Sequence, residues 1–130
     1  MASGNFVLDK GYNAGNAITK YRAVKFSGNA EEVVAVTGIA DDPAGWAQFP
    51  VSASEITRGK GASVRILGQT EAEAAGAIPV GAWCQLEADG RVSARVGASG
   101  KKLVGKCVGE AATTAGDRIT MLIIPTFAVA

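Results

Sequence analysis

The segment from residue 78 to residue 109 constrains the fold most, because it contains three alternating stretches separated by turn residues. Every second residue from 80 to 86 is apolar or small, which is the pattern of a half-buried β-strand. A polar turn follows at residues 88–90, so residues 91–96 can fold back as the second strand of a hairpin. After a polar loop, residues 102–108 alternate again. The segment therefore predicts antiparallel β-structure built from hairpins.

A similar layout occurs sixty positions earlier in the chain (78 − 18 = 60). The positions that align without a gap are Ile18 with Ile78, Val24 with Cys84, Phe26 with Leu86, Val36 with Val96 and Gly45 with Gly105. In each half a further strand follows, within residues 61–67 and 116–122. Few aligned residues are identical, and β-sequences rich in glycine and alanine also align by chance. A true duplication and an accidental likeness therefore both remain open.

The whole chain predicts an all-β fold: a small β-barrel or β-sandwich of hairpins, in a single β domain over residues 18–130. Hydrophobic residues make up 48% of the sequence but aromatic residues only 6%, so the core is expected to consist largely of small side chains. Ser52 and Glu55 have the spacing of a capping box, which predicts at most one short helical turn. Residues 71–77 predict a loop or one short turn, and Pro125 is expected to end the last strand.

The two termini differ from the strands. Residues 1–17 are rich in glycine and asparagine and have no sustained period, so they predict an extended N-terminal arm. Such an arm is either a frayed terminus or a segment that orders against a neighbouring subunit. The last residues form an apolar tail, expected to be buried in the core or in an oligomer interface. The interface candidates are Phe6, Leu8 and Tyr12 in the arm and Phe127 and Val129 in the tail.

The residue types that most enzyme sites need are missing from this sequence. It contains no histidine, which removes the usual serine and cysteine nucleophile schemes. Two cysteines cannot form a four-ligand thiolate zinc site. The loop with Gly100 and Lys101 lacks both the earlier glycine and the following serine or threonine of a P-loop. Asp41 and Asp42 precede a proline in a loop, where solvated carboxylates are expected. The sequence predicts no enzyme, no catalytic or metal site and no cofactor.

Charge and hydropathy argue against nucleic-acid and membrane partners. The net charge is +1 and the isoelectric point about 7.7, without the basic bias of a nucleic-acid-binding protein. The apolar residues 119–130 are too few to span a membrane. The N-terminal segment has no apolar signal region, so the protein is expected to be made in a cytoplasm. Cys84 and Cys107 are then expected to be reduced and buried, with a disulfide as the alternative if their strands are neighbours.

Several segments together resemble a known family. They are residues 9–11, 17–26, 45–49, 51–62, 78–82 and 115–119. In these segments the chain resembles the capsid cement proteins, also called head decoration proteins, of tailed bacteriophages. The resemblance spans nearly the whole chain as a pattern of strands framed by glycines, and it includes no catalytic signature.

This resemblance implies a compact β domain that binds the outer surface of the expanded head, commonly as a homotrimer, and stabilises contacts between major capsid subunits. The implied location is the outside of the virion, and the implied partners are the major capsid protein and further copies of the chain. Arm-like termini would add affinity through effective concentration. Trp46 and Trp83 are expected in the core rather than in an interface. The main alternative is a small-ligand or glycan-binding barrel on a virion surface, which predicts a concave, aromatic-lined site. A subunit of a shell or tail tube is a second alternative.

Overall fold

The protein is nearly all β-structure, as seen in a computed structural model that describes the backbone of residues 7–129 and the side chains of residues 7–124. The strands in this range are β1 (Leu8–Ala14), β2 (Ala23–Phe26), β3 (Glu32–Ala35), β4 (Pro43–Ala47), β5 (Ala62–Leu67), β6 (Gln69–Glu73), β7 (Trp83–Leu86), β8 (Val92–Ala94), β9 (Lys102–Cys107) and β10 (Arg118–Val129), and the helix is α1 (Ala53–Thr57). The predicted all-β fold with a single helical turn is confirmed.

Residues 8–67, called the first half below, form a closed barrel with the strand order β1-β3-β2-β4-β5. Strand β1 closes the barrel, because it pairs antiparallel with β5 and parallel with β3. Its core is built from short side chains, as the composition predicts. Val24, Val33 and Val64 are each at most 1% exposed.

Residues 69–129, called the second half below, form a five-stranded sheet with the order β6-β10-β9-β7-β8. A parallel bridge between Ala74, just after β6, and Val92, the first residue of β8, joins the two edge strands. This bridge corresponds to the parallel pairing of β1 with β3 in the first half. Leu86, Ile119 and Met121 fill the interior and have no exposed surface.

The two halves repeat each other in strand order and register. Strand β7 begins sixty residues after β2 (83 − 23 = 60), and β8 begins sixty residues after β3 (92 − 32 = 60). Outside the strands, the bridge of Ile18 with Val51 recurs as a bridge of Ile78 with Ala112. The repeated halves that the sequence left open are therefore present in the fold.

A backbone conformation recurs at the start of each half's central hairpin. Tyr21 and Gly81, sixty residues apart, both have positive φ, 64° and 89°. Their N–H groups donate to the carbonyl oxygens of Ala47 and Cys107, at 2.6 and 2.7 Å. Few non-glycine residues adopt positive φ. The recurrence at Tyr21 shows that the repeated hydrogen bond, rather than the side chain, sets the conformation here.

The segment Leu8–Ala14 is strand β1 of the barrel and not part of an extended arm. It contains Gly11 and Asn13, and most of its side chains are exposed, so it lacks the alternation that predicts a strand. Its backbone is held by pairing on both sides, with β5 and with β3. Residues 1–6 of the predicted arm lie outside the described residues.

Strand β6 and the end of β10 also differ from the prediction. Residues 69–73 form a strand where the sequence predicts a loop from residue 71, because β10 pairs with them in continuous register. Strand β10 runs past Pro125 to residue 129. Its pairing with β9 shifts between Ile123 and Ala128. Over this stretch β10 advances by five residues (128 − 123) while β9 advances by two (105 − 103). This irregularity accommodates a proline that cannot donate to the ladder.

Helix α1 has the predicted capping box. The hydroxyl of Ser52 accepts from the N–H of Glu55 at 3.2 Å, and the Glu55 carboxylate accepts from the N–H of Ser52 at 3.0 Å. These reciprocal bonds satisfy two backbone donors that would otherwise lack partners at the helix start. The five-residue helix thus serves as the connection from β4 to β5.

Candidate protein-binding surfaces

The two halves pack against each other through β2 and β4 of the first half. Trp46 on β4 is 1% exposed and belongs to the same hydrophobic cluster as Leu86 and Ile123 of the second half. The hydrogen bonds that surround this contact run from Arg22 Nε to Glu73 Oε1 (3.0 Å), from Ala23 N to Gly90 O (2.9 Å), from Gln48 Nε2 to Thr70 Oγ1 (2.9 Å) and from Arg65 Nη1 to Gln69 O (3.1 Å). The contact between the halves therefore has an apolar centre and a polar rim, as protein interfaces do.

A second apolar surface lies on the outer side of β7, β9 and β10. Trp83 lies opposite Lys106 in the register, and Lys106 lies opposite Leu122. Trp83 and Leu122 are 43% and 42% exposed, and Val108, two residues after Lys106 on the same face, is also exposed. The Lys106 ammonium lies 5.2 Å from the centre of the Trp83 ring, a cation–π contact that fixes the indole in place. Trp83, Val108 and Leu122 are called the Trp83 face below.

A third apolar surface lies on the first half. Phe26, at the end of β2, is 56% exposed, and its ring packs edge-on against Tyr12 with the ring centres 5.5 Å apart. Leu8 and Leu67, opposite each other on β1 and β5, are exposed as well. Leu8, Tyr12, Phe26 and Leu67 are called the Phe26 edge below. Contiguous exposed apolar side chains commonly mark interaction sites.

The structure places the five interface candidates differently from one another. Leu8 and Tyr12 lie on β1, where Leu8 is exposed and Tyr12 is half-buried against the barrel core. Phe6 lies outside the described residues. Phe127 and Val129 belong to β10, where the backbone of residue 129 pairs with Lys102, but their side chains lie outside the described part of the chain. The roles of these candidates as interface residues remain predictions.

Sequence reasoning did not select Phe26 or Trp83 as surface candidates. Both tryptophans were expected in the core; Trp46 confirms this at 1% exposed, and Trp83 does not. A signal for Trp83 exists in the alternation, since Trp83 falls on the face opposite Cys84 and Leu86. The side chain at Phe26 gives no such signal, because it continues the buried alternation of Val24 and is exposed only because the strand ends there.

The cysteines behave as small core residues. Cys84 and Cys107 are free thiols without exposed surface, although they lie on the neighbouring strands β7 and β9. Burial, together with the nearby Cys107 thiol, raises the pKa of Cys84 to about 12. A thiol with this pKa carries almost no thiolate at neutral pH and is a poor nucleophile. The prediction of reduced, buried cysteines is confirmed.

Within the described residues, no three His, Cys, Asp or Glu side chains cluster where a metal ion could be held. The described residues also contain no helix with the length and hydropathy of a membrane-spanning segment.

Two concave regions do not combine the volume and the aromatic lining expected of a glycan-binding site. An open depression of about 730 Å³ is lined by Lys25, Asp41 and Asp42, with Phe26 as its one aromatic side chain. An apolar groove of about 190 Å³ lies between the halves beside Trp46, which is below the volume usual for ligand pockets, about 300–1,000 Å³. The depression has one aromatic side chain, and the groove, although Phe26 and Trp46 line it, is small for a glycan site.

Comparisons with known proteins show where else this fold occurs. No protein-family model and no curated protein matches the sequence. Among solved structures, the chain is similar to the N base of head fiber gp8.5 of bacteriophage phi29, with a TM-score of 0.65 and 20% identity over 93% of this chain and 97% of that one. It is also similar to a chain of the capsid of Myoviridae phage XM1, with a TM-score of 0.64 and 16% identity over 93% of this chain and 85% of that one. The chain therefore shares its fold with proteins of phage heads.

Proposed function

We propose that this chain is a capsid cement protein: it binds the outer surface of an expanded phage head, as a homotrimer, and stabilises contacts between major capsid subunits. The observation that carries the proposal is a fold shared over nearly the whole chain with a head fiber base and a capsid protein. Under this proposal its partners are the major capsid protein and further copies of itself, and its place is the outside of the virion.

The exposed apolar surfaces support a role in assembly. A protein that acts alone in solution gains nothing from the Trp83 face or the Phe26 edge, whereas a protein that bridges subunits needs such contacts. The net charge of +1 keeps electrostatic forces between the many copies small. Several weak contacts per oligomer then give tight binding to an assembled lattice, through effective concentration rather than through one strong site.

Co-sedimentation with phage shells tests the proposal. The purified chain is added to expanded and to unexpanded DNA-free shells of the phage whose genome encodes it. We expect saturable binding to the expanded shells, weaker or no binding to the unexpanded ones, and a higher disruption temperature of the decorated shells. Expanded shells that bind no protein at saturating concentration would rule the function out.

A deletion variant then tests the terminal contacts. The structure limits the deletion to residues 1–6, because a longer one would remove strand β1 and open the barrel. If Phe6 contacts the shell, this variant keeps its fold and its melting temperature but binds expanded shells more weakly. Unchanged binding would remove Phe6 from the interface without affecting the proposal for the β domain.

A further inference from the structure

The contact between the two halves can be compared with the rest of the surface position by position, because the halves share strand register. In the first half, Ala23 lies opposite Trp46 and Trp46 lies opposite Arg65. In the second half, Trp83 lies opposite Lys106 and Lys106 lies opposite Leu122. The offsets along this row are 60, 60 and 57 residues (83 − 23, 106 − 46 and 122 − 65).

Positions that contact the second half have exposed counterparts on the Trp83 face. Ala23 is 1% exposed and its counterpart Trp83 is 43% exposed. Val36, whose N–H donates to the carbonyl oxygen of Ala23, corresponds to Arg95, whose N–H donates to that of Trp83. The remaining counterparts on this face are Val108 for Gln48 and Leu122 for Arg65. The first half therefore uses this face of the fold as an interface, and the second half presents the same face to solvent. Its apolar residues there are Trp83, Val108 and Leu122, and Lys106 takes the place of Trp46.

The receiving surface repeats in the same way. Leu86 of the second half is fully buried in the cluster that Ala23, Val36 and Trp46 of the first half enter. Its counterpart in the first half, sixty residues earlier, is Phe26, the most exposed residue of the Phe26 edge. Leu8 and Leu67 of that edge correspond to Gly68 and Ile124, which flank the same contact (68 − 8 = 60 and 124 − 67 = 57).

Most of the exposed large apolar side chains fall on these two surfaces. Of the eleven among the described residues, Leu8, Phe26 and Leu67 lie at the Phe26 edge and Trp83, Val108 and Leu122 lie on the Trp83 face. The remaining five are Val7, Ile39, Phe49, Val80 and Val96. Exposed apolar side chains thus lie mainly on the two surfaces that correspond to the two sides of the contact between the halves.

We propose that the Trp83 face of one copy binds the Phe26 edge of a second copy, in the way that the first half of the chain binds the second. Such a contact is heterologous, since two different surfaces meet, and it generates a ring if the rotation closes and a filament if it does not. Closure after three copies would give the homotrimer of the proposed function. The inference refines only the self-association in that proposal, and its test uses no shells, so the two can fail separately.

Two charge substitutions and their mixture test the contact. Trp83→Glu removes the binding face and leaves the edge intact, whereas Phe26→Glu removes the edge and leaves the face intact. Both side chains are about half exposed, and far-UV circular dichroism with thermal melting verifies the fold of each variant. We expect each substitution to weaken self-association at least about tenfold in sedimentation equilibrium. Leu122→Glu should act like Trp83→Glu, and Phe49→Glu, equally exposed but on neither surface, should associate like the wild type.

The mixture separates a heterologous contact from a symmetric one. An equimolar mixture of the Trp83→Glu and Phe26→Glu variants retains one intact pair of surfaces, so it should form a 1:1 heterodimer and nothing larger. A wild-type protein that stays monomeric at millimolar concentration, a variant that associates like the wild type, or a mixture without heterodimer overturns the inference. If the wild type is monomeric but Trp83→Glu loses binding to expanded shells, the face binds the shell instead, and the proposed function survives without this contact.

Discussion

Gly45 and Gly105 lie sixty residues apart and meet the same obstacle in their two halves. A Cβ atom added at Gly45 would lie 2.4 Å from the carbonyl oxygen of Arg65 on β5, and one added at Gly105 would lie 2.7 Å from that of Leu122 on β10. Arg65 and Leu122 are themselves counterparts in the strand register. Because a backbone oxygen cannot move aside as a flexible side chain can, the close approach of these strands requires glycine at both positions.

Replacement of either glycine should therefore destabilise the fold. Gly45→Ala and Gly105→Ala are each expected to lower the free energy of unfolding by about 1–3 kcal/mol, through the strain of an overpacked site. Gly76→Ala is the matched control, since nothing lies within 4 Å of a Cβ built there. Urea unfolding followed by circular dichroism measures all three. A Gly105→Ala protein as stable as the wild type would show that the strands separate without cost.

The sequence predicted those parts of the fold in which local pattern and tertiary pairing agree. The hairpin of β7 and β8 follows from strict alternation and a turn containing Gly90. The capping box of Ser52 and Glu55 is a local arrangement, so its spacing alone was sufficient. The offset of sixty residues is present in the sequence through Gly45 and Gly105, although too few identities accompany it to establish the repeat.

The sequence could not predict the elements that depend on distant partners. Strands β1 and β6 lack a clear alternation and are held by pairing with β5 and β10. Trp46 and Trp83 have similar local surroundings, and their different exposure arises from the packing of one half on the other. The apolar surfaces follow from that packing as well, which explains why the candidates chosen from the termini did not include Phe26 or Trp83.

Trp46 is expected to be the most sensitive position in the contact between the halves. Trp46→Ala should lower the free energy of unfolding by about 3–5 kcal/mol, because a fully buried indole leaves a cavity. Trp83→Ala, at a half-exposed tryptophan, should cost less than about 1 kcal/mol and serves as the control. Urea unfolding again measures both. Equal losses in the two variants would contradict the assignment of Trp46 to the core and Trp83 to the surface.

The cysteines should be unreactive in the folded protein. The raised pKa of Cys84, about 12, leaves almost no thiolate at neutral pH, and both thiols lack exposed surface. A disulfide reagent that releases a coloured thiolate should therefore react with neither thiol in native buffer and with both thiols in denaturant, as measured by absorbance. Fast labelling of the native protein would show that β7 and β9 open readily.

Asp41 should make the stability of the first half depend on pH in the acid range, more than the uncharged Gln85 does for the corresponding loop of the second half. The Asp41 carboxylate accepts from the N–H groups of Thr37 and Gly38 and from Lys25, at 2.9, 3.0 and 3.0 Å. The bond from Thr37, and then that from Lys25, hold the pKa of Asp41 below its usual value of 3.8. A lowered pKa adds stability that is complete above the unfolded-state value and is lost as pH falls through the lower folded-state value.

In the second half, the residue sixty positions after Lys25 is Gln85, whose uncharged amide contacts the equivalent loop. Its amide oxygen accepts from Val96 N and Ser99 Oγ, both at 3.0 Å. Asp41→Asn should therefore cost about 1–2 kcal/mol at neutral pH and progressively less below pH values near 4. Gln85→Met should depend less on pH, because it removes an uncharged acceptor from Val96 N and Ser99 Oγ. Urea unfolding of both variants across the acid range checks this difference. A loss in Asp41→Asn that does not change with pH would mean that the charge of Asp41 contributes nothing to holding its loop.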